Sequence, residues 1–61
     1  MIVQINPIKK RAKERIKTYG NEMELLREDY FRGEKAILVK SIKESWIGWF
    51  TLSEVSFKKM E

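Results

Sequence analysis

Apolar residues in the first third of the chain recur at helical spacing, whereas those in the last third alternate or run together as in strands. Residues 1–5 are β-branched at Ile2, Val3 and Ile5, which suits a short strand at a sheet edge. Asn6-Pro7 then reads as a helix start: Asn accepts a hydrogen bond from an unpaired first-turn N–H, and Pro has no N–H to leave unsatisfied. Gly20 is the matching stop, since glycine enters the left-handed region without a Cβ penalty. Between them Ile8, Ala12, Ile16 and Tyr19 share about 80° of arc at 3.6 residues per turn, so the pattern predicts a helix over residues 7–19 with one apolar stripe.

Residues 21–32 support two readings. Strong helix formers and the Asn21-x-x-Glu24 capping-box spacing favour a second short helix ending near Gly33. Met23 and Leu25 alternating with Glu22 and Glu24 favour a strand, with residues 29–33 closing a hairpin onto the apolar run that follows. From Lys35 the character is β: residues 36–39, 46–51 and 55–58 predict two or three antiparallel strands. Residues 41–45 form a polar turn between them, and residues 51–54 a single helical turn with Thr51 or Ser53 placed to cap it.

Side chains alternate faces along a strand, so Trp46, Gly48 and Phe50 share one side and Ile47, Trp49 and Thr51 the other. Each face carries a Trp, and residues 36–39 are apolar on both faces as well. One amphipathic helix covers only one face of a small sheet; the second face closes on itself as a barrel, stays exposed or meets a partner.

The run Gly48-Trp-Phe-Thr-Leu-Ser-Glu-Val55 resembles the closing motif of SH3-like small barrels, in which a glycine and two bulky residues lead through a one-turn helix into a last strand opened by a branched apolar residue. Gly33 to Val39 is similar to the strand that enters such a hairpin, so the resemblance covers residues 33–57. The fold expected is α+β, a single small domain over residues 1–61 with an N-terminal basic amphipathic helix packed on a small curved antiparallel SH3-like β-sheet or partial barrel. The resemblance selects no function, because such barrels bind peptides, RNA and DNA and take part in phage-particle assembly.

Charge adds the first functional signal. The 61 residues carry 13 Lys plus Arg against 9 Asp plus Glu, for a net charge of +4. The excess is concentrated in residues 1–20, where Lys9, Lys10, Arg11, Lys13, Arg15 and Lys17 face only Glu14. Residues 21–34 are acidic, with Glu22, Glu24, Glu28, Asp29 and Glu34 against Arg27 and Arg32. On a helix, Lys10, Lys13 and Lys17 lie opposite the apolar stripe, and Arg11 and Arg15 lie one turn apart along a flank. Such a row neutralises backbone phosphates without reading sequence, since it contains no Asn or Gln to read base edges. A solvated helix face has the same pattern.

Other chemistries recede. The chain has no Cys and no His, which removes disulfides, Cys/His zinc sites and every nucleophile–histidine arrangement. The acidic cluster Glu22, Glu24, Glu28 and Asp29 has no calcium-loop pattern, so neither a metal nor a cofactor is expected. No apolar run approaches the roughly 20 residues of a membrane span, and basic charge follows rather than precedes the first apolar residues, so no membrane association and a cytoplasmic location are expected. The leading expectation is a non-catalytic nucleic-acid-binding module using Lys10, Arg11, Lys13, Arg15 and Lys17. An interaction surface at Trp46, Trp49, Lys40 and Lys43 would serve base stacking or a protein partner. The alternative is a protein-interaction or assembly module, for instance a small bacteriophage protein that binds a host factor or forms part of a homo-oligomeric particle.

Overall fold

The computed structural model describes residues 1–60. The chain runs β1 (Ile2–Pro7), α1 (Lys10–Tyr19), β2 (Glu22–Phe31), β3 (Glu34–Ser41), β4 (Ile47–Thr51) and β5 (Val55–Lys59). The α+β expectation is corrected: 57% of the described residues are strand and 17% helix. The single short helix is not N-terminal but is inserted between two paired strands, and it buries one side chain completely, Ala12.

The helix also starts later than its punctuation suggests. Pro7 belongs to β1, where it pairs with Val55, and the residue before the helix is Lys9, which caps with no side chain. A strand already claimed the Asn6-Pro7 pair, so the helix-start chemistry was overridden by sheet pairing. Ile8 is consequently off the stripe and 55% exposed, leaving Ala12, Ile16 and Tyr19 as the packed face. Gly20 does end the helix, at φ 84°, with its N–H donating to the Ile16 carbonyl.

Residues 21–32 resolve as strand. Hairpin β2–β3 pairs from Met23 with Ser41 to Phe31 with Glu34 across a two-residue turn, Arg32-Gly33, with φ of 53° and 77°. Two successive positive φ values match the twist of the flanking strands, and glycine meets that demand without strain at the second position. A bulge between Leu25 and Arg27 shifts the register, so the simple alternation of Met23 and Leu25 does not extend along the strand.

The five strands form one antiparallel sheet in the order β4-β3-β2-β1-β5. Val3, Ile5, Met23, Ile37, Val39, Phe50 and Val55 supply inward side chains from every strand to one buried cluster, joined by Ala12 of α1. In a flat sheet the two edge strands would stand about 19 Å apart, at roughly 4.8 Å per strand. Yet Phe50 of β4 and Val55 of β5 meet in the same core, so the sheet curls until its edges approach. The turn joining these edges is closed by the Glu54 N–H donating to the Thr51 carbonyl. Its cap is neither Thr51 nor Ser53: the Glu54 carboxylate reaches back to accept from the Thr51 N–H and hydroxyl.

Candidate functional site

Two hydrogen-bonded pins lay α1 beside the free edge of β4. At its start, the Glu54 carbonyl accepts from the Ile8 and Lys9 N–H groups at 2.8 and 3.1 Å. At its end, the Ser41 hydroxyl donates to the Tyr19 carbonyl at 2.6 Å and accepts from the Glu44 N–H at 3.1 Å. Ser41 continues the inward row of Ile37 and Val39 and is only 3% exposed, so its hydroxyl is a buried latch rather than a turn residue. Between helix and strand lies a groove of about 300 Å³, walled by Arg11 and Arg15 on one side and β4 on the other, with Glu54 at one end.

The two tryptophans occupy opposite sides of the curled sheet, as strand alternation requires. Trp46 faces inward. It stacks on Tyr19 with ring centroids 4.7 Å apart, tilts against Phe50 at 5.6 Å and carries the Arg15 guanidinium 5.8 Å above its ring. The indole lies directly over Gly48, where a Cβ would come within 2.2 Å of the ring, so only glycine lets the indole seat there. Trp49 faces outward, 39% exposed, and meets the edge of Phe31 at 4.9 Å. Trp46 is therefore the more enclosed indole, half-buried at the wall of the groove, and Trp49 the more exposed.

Of the anticipated cationic residues, Lys10, Arg11, Lys13 and Lys17 are exposed, and Arg15 is half-buried beside Trp46. The structure brings Arg11 and Arg15 to the groove and leaves the three lysines on the outer surface of the helix. None of the five forms an ion pair among the described residues. Lys40 lies on the outer face of β3, opposite Glu24 and Ile47, and Lys43 lies along Gly20 at the far end of α1, so neither lines the groove.

Three of the acidic groups, Glu28, Asp29 and Glu34, are engaged elsewhere. Glu28 accepts from Lys35 at 2.9 Å; that hydrogen bond and the charge of Lys35 hold the Glu28 carboxyl below its ordinary range and raise the Lys35 ammonium above its own. The Ser53 hydroxyl and backbone N–H likewise hold Glu34 low, with the N–H 3.1 Å from the carboxylate. Arg27 pairs with Asp29 at 3.4 Å.

Sequence reasoning missed Glu54, Gly48 and Ser41 as the residues that shape the groove. Ser41 was open to detection, since it lies two and four residues beyond the inward Val39 and Ile37; the roles of Glu54 and Gly48 depend on contacts between elements. No helix among the described residues is long and apolar enough to cross a membrane. Comparison with known proteins adds no identity: no family model, curated protein or solved structure matches the chain.

Proposed function

We propose that this chain is a small non-catalytic module of the cytoplasm that binds nucleic acid along α1. Lys10, Lys13, Lys17, Arg11 and Arg15 contact backbone phosphates, and Trp49 offers a surface on which an unpaired base stacks. One observation carries the reading: these cations occupy one exposed element and none is neutralised by an ion pair among the described residues. The principal acids lie on the β2–β3 hairpin, so an approaching polyanion meets positive potential on one side of the molecule. The kinship of residues 33–57 with SH3-like small barrels belongs to the same proposal, supported by the way β4, a tight turn and β5 follow one another.

Fluorescence anisotropy with labelled single- and double-stranded oligonucleotides tests it. Engagement of most of these cations makes affinity fall about a hundredfold or more between about 50 and 200 mM salt, and Lys13→Glu with Lys17→Glu abolishes binding. Affinity that is absent or indifferent to salt would retire the reading.

A further inference from the structure

The backbone of β4 presents a second kind of recognition. The Ser41 N–H donates to the Trp46 carbonyl and the Leu52 N–H to the Lys35 carbonyl, at 2.9 and 3.0 Å. The intervening register is unbroken, so Trp46, Gly48, Phe50 and Leu52 turn their peptide groups toward β3. Ile47, Trp49 and Thr51 must then point theirs the other way, off the end of the sheet. Thr51 is satisfied by Glu54, which accepts from its N–H and donates to its carbonyl. Ile47 and Trp49 have no such partner among the described residues, and their N–H and C=O groups open into the groove beside α1.

The opposite edge is guarded and this one is not. Strand β5 ends in Lys58 and Lys59, the kind of charge that discourages edge pairing, whereas Ile47–Thr51 contains no charged residue. The charges near β4 stand across the groove instead, on Arg11 and Arg15, against a Glu54 carboxylate already accepting from Thr51.

We infer that an extended acidic peptide adds to β4 as a sixth strand, its backbone pairing with Ile47 and Trp49 and its carboxylates meeting Arg11 and Arg15. The spacings agree. Arginines four apart on a helix are separated by about 6 Å along the axis, and alternate residues of a strand by about 6.8 Å, so acidic residues at every second position match both guanidinium groups. The intervening residues fall on the outer face beside Ile47 and Trp49, which are 55% and 39% exposed and favour apolar side chains. The partner is thus a segment alternating acidic and apolar residues. This inference shares Arg11 and Arg15 with the proposed phosphate contacts but adds the backbone of β4, which those contacts do not use.

The test titrates a labelled octapeptide alternating Glu and Val into the protein, alongside the same peptide with alternate amides N-methylated so that it keeps its charge but loses its ladder donors. The expected result is saturable binding, weakened more than about tenfold by N-methylation and by Arg11→Gln with Arg15→Gln, and weakened less by Lys13→Gln with Lys17→Gln than by the arginine pair. Amide exchange at Ile47 and Trp49 slows when the peptide is bound. Equal binding of the methylated peptide, a loss in the lysine variant as large as in the arginine variant, or no binding would each overturn the inference. So would protection of the β4 amides by a single-stranded oligonucleotide and not by the peptide, which would give the groove to nucleic acid.

Discussion

Helix α1 and the β2–β3 hairpin carry opposite charge and use it differently. On the hairpin, charged side chains answer one another within the sheet, as Glu28 with Lys35 at 2.9 Å and Arg27 with Asp29 at 3.4 Å. On the helix, the cations form no ion pair among the described residues, Arg15 resting instead on the Trp46 ring, and the element is pinned at its ends by uncharged hydrogen bonds to the Glu54 carbonyl and from the Ser41 hydroxyl. The four exposed cations of the helix, Lys10, Arg11, Lys13 and Lys17, thus play no part in its anchorage, which is what the proposed phosphate contacts require. Exposed ion pairs like those of the hairpin contribute little to stability, so the contrast bears on function more than on folding.

The contrast breaks most visibly under charge reversal. Lys13→Glu with Lys17→Glu removes oligonucleotide binding, whereas Glu28→Gln on the hairpin leaves it within about twofold, as direct titration will show. Reversed sensitivities would place the phosphate site on the wrong element. Next in size is Gly48→Ala. Its Cβ has no room beneath Trp46, so the variant loses stability toward the upper end of about 1–3 kcal/mol in chemical denaturation and its tryptophan emission shifts to the red. An unchanged midpoint and spectrum would mean that Trp46 does not seat on β4.

Ser41→Ala sharpens the account of anchorage. It leaves the Tyr19 carbonyl and Glu44 N–H without their shared partner, for an expected loss of about 1–2 kcal/mol, with faster amide exchange in the last turn of α1 than at the hairpin. Uniform exchange along the chain would count against a specific latch. Smallest is the acid response of the hairpin. Because the folded state holds the Glu28 carboxyl below its unfolded value, its stabilising share is full above the ordinary carboxylate range and fades as pH falls through the lowered folded value. An NMR titration of the side-chain carboxyl should place Glu28 below the ordinary carboxylate range, and this depression should largely vanish in Lys35→Met.

Much of the helix was legible in advance because its information is local. Ala12, Ile16 and Tyr19 share a face by spacing alone, and Gly20 ends the helix because of what glycine permits. Its start was misread, since Pro7 suits the first turn of a helix and an edge position of a strand alike, and only pairing with Val55 chooses between them. Residues 22–31 posed the same difficulty at greater length. Glu, Leu and Arg favour helix in isolation, but β1 and β3 lie on either side of this segment and supply ladders that outweigh propensity.

The cationic composition of residues 9–17, the apolar period behind them and the opposite orientation of the two indoles were determined by the order of amino acids, because each depends only on neighbours within a few positions. Tertiary structure alone decided that Trp46 is half-buried against Tyr19 while Trp49 is exposed, that Glu54 and Ser41 hold the helix at both ends, and that the free peptide groups of Ile47 and Trp49 face two arginines. Those outcomes require residues more than twenty positions apart to meet, and the meeting is set by the curl of the whole sheet rather than by any stretch of chain.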